Sequence, residues 1–393
     1  MNSADNQFIV IDNGSFTIKA GFAGEDRPQA LLRTCIGHTK YQKVMSGGDF
    51  EPGRMIGNSL QEYRGLFRTT SPIKNGLIEN WEDMEALWNH LYSQHLKVSS
   101  EDHPVLITDA ALSPHKQRLQ IAQVLFESYN VPALSIAVPG VLSLYSSGMT
   151  SGIALDSGNG VTAAIPVYNG FIPTGTVRRM DIGGDDITKY LQLLLRKSGY
   201  FFNTSAELDI VREMKERLGK ISEVTTFNPL HMATTTGSGA GADSTTDSAA
   251  TEPIKYLLPD NQVIEIADEP TRAIEAIFAP HVMGKESPGI HTLLAESIQL
   301  CDIDIRKSLY SNIILSGGNT LFSGFCSRLL SEIQHSRPTN KVRIYAAADR
   351  ESSAWVGGSI LAALSSFRKM TITYAQYDED RDILRRKLMS LDY

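Results

Sequence analysis

The chain has few cysteines, no excess of positive charge and no long hydrophobic run. Its 393 residues include three cysteines, Cys35, Cys301 and Cys326, whose wide spacing forms no CxxC motif and no paired framework, so we expect a reducing compartment. The formal net charge of −7 argues against a general nucleic-acid binder. The first residues carry no signal sequence, and the apolar residues 133–145 are too few to span a membrane. We therefore expect a soluble cytosolic or nuclear protein, long enough for two domains.

Residues 8–24 have the pattern of a β-hairpin whose turn can bind phosphate. An apolar run ends at Asp12, two turn formers follow at Asn13-Gly14, and a β-branched run resumes at Thr17. Tight turns of this kind leave backbone N–H groups pointing outward, where they can bind an anion. With the carboxylate of Asp12 and the cation of Lys19, this stretch could hold phosphates and a hydrated Mg²⁺. Taken alone, the same pattern also fits an ordinary hairpin.

Residues 152–170 repeat this pattern far downstream. An apolar strand ends at Asp156, the turn residues Ser157-Gly158 follow, and a second apolar strand leads to another glycine. Two such hairpins indicate a duplicated domain whose halves face each other across a cleft. The phosphate chain of a nucleotide would then lie between the two turns, with Asp12 and Asp156 both directed at the metal.

Hydrophobic periodicity, capping residues and glycine pairs predict most of the remaining elements. A buried strand is expected at residues 104–108, and a further strand is expected from residue 311, ending in the pair Gly317-Gly318. Residues 138–145 are either a helix or a connector. The predicted helices cover residues 80–91, residues 113–129 with Ser113 as the N-cap, a segment that begins near 181, a segment that begins at the capping box Thr204–Glu207, and residues 322–333 and 355–364.

Three segments are expected outside this framework. Residues 41–57 are glycine-rich and polar, which predicts an exposed mobile loop. Residues 231–252 are of low complexity without large apolar side chains, which predicts a disordered insert. The charged tail, residues 378–393, is predicted to be a short surface helix.

Composition alone places three charged residues after the capping box on a solvated helix face: Arg212, Lys215 and Glu216.

Four separated motifs, in this order, resemble the nucleotide clamp of actin and the actin-related proteins. They are Asp12-Asn-Gly-Ser15 with Lys19-Ala-Gly21, Asp156-Ser-Gly158, Leu315-Ser-Gly-Gly318 and Trp355-Val-Gly-Gly-Ser-Ile-Leu361. Residues 39–45, 194–200 and 357–364 are most similar to the centractin subfamily, whose members form the short filament of dynactin, the adaptor of the dynein motor. The resemblance implies an actin-like α/β fold of the duplicated ribonuclease H type, with two large lobes around a nucleotide cleft. The first lobe would comprise residues 1–145 and 350–393, and the second residues 146–349.

The resemblance also implies a set of ligand-binding residues. ATP or ADP would bind in the cleft with Mg²⁺ or Ca²⁺, and the metal would be held through waters by Asp12 and Asp156. It brings Lys215 and Glu216 to the ribose and base, against the expectation from composition. The implied nucleotide-binding residues are Gly14, Ser15, Phe16, Lys19, Ser157, Gly158, Asn159, Gly160, Gly184, Arg212, Lys215, Glu216, Gly317, Gly318, Asn319 and Glu351.

The chain departs from the family pattern where hydrolysis takes place. Pro139 stands in place of the family's hydrolytic glutamine, whose amide can orient the attacking water, and Ala163 in place of a histidine. We therefore expect tight nucleotide binding with slow or absent hydrolysis, because loss of water positioning commonly lowers the rate by about a hundredfold or more. Further replacements are Phe16 for glycine, Asn159 for aspartate, Glu351 for lysine and Asn75 for histidine.

The resemblance favours a structural role over three alternatives. It implies a short, stable filament in the cytoplasm and cytoskeleton, with dynactin-type subunits, capping proteins and a linkage to dynein as partners. Pro139 and Ala163 argue against a dynamic actin-like ATPase. Residues 41–57 resemble the loop that reaches the neighbouring subunit in a filament of the family, and residues 281–289 resemble the loop between its strands. Their presence argues against a subunit of a nuclear chromatin-remodelling complex. A sugar kinase of the same broad fold would need a catalytic acid in a sugar pocket, and the sequence offers no such motif. Direct nucleic-acid binding and membrane insertion are not expected.

Overall fold

The computed structural model describes residues 6–39, 54–60, 65–221, 253–336, 341–381, 383–384 and 386. Most of the predicted mobile loop, residues 41–53, lies outside these ranges, as do the predicted insert at 231–252 and the part of the predicted tail from residue 387 onward. In the described part of the chain, no helix is long and apolar enough to cross a bilayer.

The described residues form eighteen strands and eleven α-helices. The strands are β1 (Ile9–Asn13), β2 (Thr17–Phe22), β3 (Ala30–Arg33), β4 (Ile36–Thr39), β5 (Arg54–Ile56), β6 (Phe67–Thr70), β7 (Ile73–Lys74), β8 (Leu77–Ile78), β9 (Val105–Thr108), β10 (Ala133–Ala137), β11 (Gly152–Ser157), β12 (Thr162–Val167), β13 (Arg178–Met180), β14 (Ile254–Leu257), β15 (Val263–Ile266), β16 (Ile313–Ser316), β17 (Ile344–Tyr345) and β18 (Ile372–Thr373). The helices are α1 (Trp81–His90), α2 (His115–Glu127), α3 (Pro139–Ser146), α4 (Gly184–Lys197), α5 (Ser205–Leu218), α6 (Glu269–Glu275), α7 (Ile290–Leu300), α8 (Ile303–Ser311), α9 (Phe325–Ser336), α10 (Ser353–Ala363) and α11 (Tyr374–Glu379).

Two large sheets repeat one arrangement. The first has the strand order β18-β10-β9-β1-β2-β3, and the second has the order β13-β12-β11-β16-β17. In each, an antiparallel hairpin (β1–β2 or β11–β12) pairs through its first strand with a parallel neighbour (β9 or β16). The predicted hairpins and their duplication are confirmed. We call the elements built on the first sheet the first lobe and those built on the second sheet the second lobe.

Each sheet has its own apolar core. In the first lobe α1 contributes Met84, Leu87 and Trp88, all fully enclosed, to the core that also contains side chains of β1 and β9. In the second lobe α4, α7 and α9 cover one face of the sheet, with Leu191 and Phe325 among the enclosed side chains. Strands β9 and β16 are buried at every residue, as expected for central strands covered on both faces.

Helices α3 and α10 cross at the junction of the lobes. Residues 138–145, predicted as a helix or a connector, are helical, with Pro139 in the first turn of α3. A Cβ on Gly357 would lie 1.7 Å from the carbonyl oxygen of Leu142, so the two helices touch through their backbones. The hydroxyls of Ser143, Ser316 and Ser353 hydrogen-bond to one another at 3.0–3.1 Å beside this crossing.

The structure corrects three boundaries predicted from sequence. Ser113 does not cap α2: Pro114 is the N-cap residue, and the Ser113 hydroxyl donates to the carboxylate of Asp109 instead. The end of the predicted loop, Arg54–Ile56, is strand β5, because its backbone pairs with β4. Helix α9 begins at Phe325, not at 322, because a 3₁₀ turn and Gly324 at φ +84° precede it. The capping box at Thr204 is confirmed.

Candidate functional site

The turn of the first hairpin fixes one carboxylate at the end of β1. Asp12 is 6% exposed. Its Oδ1 accepts a hydrogen bond from Thr108 Oγ1 at 2.8 Å, and its Oδ2 lies 3.2 Å from Lys19 Nζ. The hairpin register sets this pair, because Asp12 is directly opposite Lys19 in the ladder. The predicted acid and cation are therefore held together beside Gly14 and Ser15.

The second hairpin supplies the other carboxylate. Desolvation of Asp156, and then the negative charge of Asp12, raise the pKa of Asp156 to about 6. A hydrogen bond with Ser316 and the positive charge of Lys19 act in the opposite direction. A divalent cation bound here would offset the repulsion that Asp156 experiences from the neighbouring carboxylate.

The two turns face each other at close range. A Cβ on Gly160 would lie 2.9 Å from Ser15 Oγ and 3.3 Å from the backbone nitrogen of Gly76. Gly317, at φ +86°, packs directly against the backbone of the second turn, since a Cβ there would lie 2.3 Å from the carbonyl oxygen of Ser157. Only glycine lets these backbones come so close to one another and to the space between the turns.

A cavity of about 650 Å³ opens between the lobes. Ligand pockets commonly have volumes of about 300–1,000 Å³. Of the residues predicted from sequence to form the site, the following line the cavity: Asp12, Gly14, Ser15, Phe16, Lys19, Asp156, Gly158, Asn159, Gly160, Lys215, Glu216, Gly317, Gly318, Asn319 and Glu351.

Three residues of the predicted set do not form part of the wall, and each has a partner elsewhere. The hydroxyl of Ser157 is fully buried and shares hydrogen bonds with Thr162 and Asn319. Gly184 accepts a hydrogen bond from Lys215 at 2.9 Å and lies behind the cavity. The guanidinium of Arg212 lies over the ring of Phe16 and pairs with Asp209.

Lys215 corrects the expectation of a solvated helix face. It is 3% exposed, and its desolvation is the main reason that its pKa falls to about 8. Glu216, next in the chain, is exposed and also lines the cavity. The sequence pattern of α5 could not reveal this burial, because the ammonium group of Lys215 is held by the carbonyl oxygen of Gly184, which is distant in the chain.

The replacements expected to impair hydrolysis lie on the cavity wall. Pro139 and Ala163 both line the cavity, and no histidine does so among the residues that the structure describes. The one glutamine on this part of the wall, Gln117, is fully engaged. Its amide nitrogen donates to Asp109 at 2.7 Å and to the carbonyl oxygen of Gly76 at 3.3 Å, and its oxygen accepts from the Ile78 amide at 3.0 Å.

Sequence reasoning missed Thr108, Asp109 and Gln117 as residues of the wall. Thr108 fixes the carboxylate of Asp12. The available signal was its place at the end of the predicted strand 104–108, since polar residues at the carboxyl ends of neighbouring parallel strands converge on one edge of a sheet. Gln117 could not be found in this way, because it is in a helix that reaches the site only through the fold.

The donor set fits a phosphate chain with one divalent ion. Within the described ranges, no group of three histidine, cysteine, aspartate or glutamate side chains could hold a metal ion. An ion here would be held by Asp12 and Asp156 through waters, and phosphate oxygens would complete its coordination. That arrangement is typical of Mg²⁺. The buried side-chain oxygen of Asn13, also on the wall, has no partner among the described residues and can accept a hydrogen bond from a ligand or water.

Comparison with known proteins agrees with this architecture. The family model described as "Actin" matches residues 3–389. An "Actin-like protein" of Neurospora crassa is 43% identical over 391 residues, which cover 98% of this chain and 99% of the relative. The duplicated sheets, the opposed turns and these matches lead to one conclusion: the chain belongs to the actin family.

Proposed function

We propose that the cleft binds ATP or ADP together with Mg²⁺ or Ca²⁺. The observation that carries this proposal is the approach of Gly160 to Ser15, which brings the two turns face to face above Asp12 and Asp156. The turn amides and Lys19 bind the phosphates. Lys215, Glu216 and Glu351 lie on the cavity wall and bound the ribose and base. The ion neutralises phosphate charge when it is bound.

Hydrolysis in this cleft is slow in our proposal. Pro139 has no side-chain donor or acceptor, and the methyl group of Ala163 has none either, so neither can orient a water. Gln117 cannot replace them, because its amide is committed to Asp109, Gly76 and Ile78. Binding is retained, since both carboxylates and the glycine turns remain.

We further propose that the loaded protein assembles into a short, stable filament of the centractin type. The similarity of residues 194–200 and 357–364 to the centractin subfamily supports this, as does slow hydrolysis, which suits a filament that does not turn over. Dynactin-type subunits, capping proteins and a linkage to dynein are the partners that follow, in the cytoplasm and cytoskeleton. Negative-stain imaging of the purified, nucleotide-loaded protein tests this assembly. Particles that remain single at high concentration would favour a subunit of a chromatin-remodelling complex instead.

Binding is tested with the full chain and one buried carboxylate. Asp156→Asn removes the charge of a group that is already costly to ionise, so the variant should fold. Extraction and chromatography should recover adenine nucleotide from the wild type. Asp156→Asn should lose tenfold or more in Mg²⁺-dependent affinity, whereas Asp26→Asn, at an exposed aspartate of the first lobe, should bind as the wild type does. A wild type that is empty after purification and gives no calorimetric signal with Mg-ATP would refute the proposal.

Turnover is tested by restoring the two family residues. Phosphate release after mixing with Mg-ATP should be slow in the wild type and at least about tenfold faster in the double variant Pro139→Gln, Ala163→His. The backbone amide that glutamine would add at position 139 needs no acceptor within α3, because the first amides of a helix have none. Equal rates in both proteins would show that these positions do not limit hydrolysis.

A further inference from the structure

Two guanidinium groups, one from each lobe, contact a single aromatic ring of the first lobe. Phe16 directly follows Ser15 in the first turn. The guanidinium carbon of Arg33, at the end of β3, lies 5.1 Å from the centre of its ring, and that of Arg212, on α5, lies 4.9 Å away. Both distances are within the range of a cation–π interaction. Arg33 and Phe16 belong to the first lobe and Arg212 to the second, so the ring is a contact between the lobes.

Asp209 adds a second contact across the cleft. Its Oδ1 lies 3.0 Å from Arg33 Nη2 and also accepts from Arg212, three residues further along α5. A carboxylate of the second lobe thus pairs with an arginine of the first lobe, and an arginine of the second lobe contacts a ring of the first lobe. The side chains of Arg33, Arg212 and Asp209 are 14%, 13% and 19% exposed. Interactions that are this well removed from water are stronger than exposed ones.

This cluster is joined to the phosphate-binding turn through the backbone. The carbonyl oxygen of Phe16 accepts from the Thr34 amide at 2.8 Å, and the Thr34 hydroxyl donates to the carbonyl oxygen of Gly14 at 2.7 Å. Arg33 is the neighbour of Thr34. A movement of either arginine relative to the ring therefore acts on the turn that contains Gly14 and Ser15.

We propose that Phe16 is a positioning residue that latches the two lobes together and slows the release of nucleotide. The latch consists of Phe16, Arg33, Asp209 and Arg212. A ligand in a cavity lined by both lobes leaves only when the lobes separate, and separation breaks both the Arg212–ring contact and the Arg33–Asp209 ion pair. A glycine, which the family pattern has at this position, provides no ring for either arginine. The slowing of release rests on the proposed function; the latch itself does not.

The release rate tests the latch when nucleotide is bound. The full chain is loaded with Mg²⁺ and the fluorescent 1,N⁶-ethenoadenosine triphosphate, then chased with excess unlabelled ATP in a stopped-flow instrument. Phe16→Leu keeps apolar volume but removes the π face, and should release the label about tenfold faster. Phe16→Tyr keeps the ring and should restore slow release. Phe171→Leu, at a ring that is 79% exposed, is the matched control and should not change the rate. A Phe16→Leu rate within twofold of the wild type overturns the proposal.

A double variant separates a latch from a general loss of stability. Asp209→Asn should also speed release, and its effect should be non-additive with that of Phe16→Leu, because the two residues act in one cluster. Fully additive effects would contradict a single latch.

Hydrogen exchange in the nucleotide-free protein decides the latch even if no nucleotide binds. Failure of the wild type to take up the label would refute the proposed function. The latch is then judged on the peptide spanning residues 9–22, whose turn amides should exchange about tenfold faster in Phe16→Leu, while α9 exchanges as in the wild type. Unchanged exchange in residues 9–22 overturns the latch independently of ligand binding.

Discussion

Lys215 shows how strongly a single residue's setting can differ from its sequence neighbourhood. It lies in a helix that carries several other charged residues, yet it is 3% exposed and donates to the carbonyl oxygen of Gly184. Asp156 is comparable, with a pKa raised to about 6 by burial and by Asp12. Strongly perturbed groups on a cavity wall are characteristic of functional sites, because ligand binding can offset the desolvation.

At the residue scale, we predict that Lys215→Met stabilises the nucleotide-free protein at neutral pH. The pKa of Lys215 falls from 10.5 to about 8 in the folded state. Between these values the unfolded chain binds more protons, so the stability of the wild type rises with pH over this window. The free energy of unfolding of the variant should exceed that of the wild type by about 1–3 kcal/mol at pH 7, and the difference should shrink above pH 8.

Chemical denaturation at pH values from 7 to 10 measures this difference. Lys307→Met, at an exposed lysine of α8, is the matched control and should show no such dependence. A difference for Lys215→Met that stays constant over the whole pH range would contradict the assigned burial of its charge.

At the scale of elements, the two hairpins and the crossing of α3 and α10 position the site. The hairpins place Asp12 and Asp156 at strand ends, each beside a parallel neighbour strand. The crossing joins the lobes through a backbone contact at Gly357. Because this contact has no side chain to adjust, the distance between the helices is fixed by the glycine itself.

We predict that Gly357→Ala is severely destabilising although it lies inside a helix. In a helix interior, alanine is intrinsically more stable than glycine by about 1 kcal/mol. The added Cβ, however, would lie 1.7 Å from the carbonyl oxygen of Leu142, so α3 and α10 would have to separate. The loss should be about 3 kcal/mol or more, as for overpacked cores.

Gly358→Ala provides the neighbouring control for this prediction. Its Cβ would meet side-chain atoms, the nearest being Val10 Cγ1 at 2.9 Å, and these can shift at lower cost. Thermal and chemical denaturation of both variants should therefore rank Gly358→Ala as the more stable. Equal stabilities would show that the helix crossing is not set by backbone contact.

At the scale of the whole molecule, contacts across the cleft lie on more than one side. Besides the latch at Phe16, Arg179 of the second lobe donates to the carbonyl oxygens of Ala111 and Asn75 in the first lobe, at 2.9 and 2.5 Å. A ligand that touches both lobes adds to these contacts. Its binding energy should therefore appear as stability of the molecule as a whole.

We predict that Mg-ADP stabilises the protein against unfolding in a concentration-dependent way. At about 100 times its dissociation constant, a ligand that binds only the folded state adds about 2.7 kcal/mol. Differential scanning calorimetry should show this increase in the wild type, and chelation of the metal should reduce it. Asp156→Asn should show little of the increase. A melting temperature that does not respond to ligand in the wild type would contradict a nucleotide site between the lobes.

The sequence by itself determined the local parts of this protein. The β-hairpins at Asp12 and Asp156, the capping box at Thr204 and the helix at residues 80–91 could be predicted, because turn chemistry, capping and hydrophobic periodicity act over a few residues. The family was indicated separately, by the resemblance of four motifs. Where the same local signals compete, prediction failed: the Ser113 hydroxyl could cap α2, yet it donates to Asp109.

Only the tertiary structure decided what these parts do together. Residues far apart in the chain bury Lys215 beside Gly184 and hydrogen-bond the side-chain amide of Gln117. They also place Arg212 against the ring of Phe16, and Arg212 is not part of the cavity wall. Burial, charge pairing and hydrogen-bond satisfaction depend on distances between atoms that no local pattern contains. For that reason the candidate residues could be named from the sequence, whereas the state of their side chains followed from the packing of the two lobes.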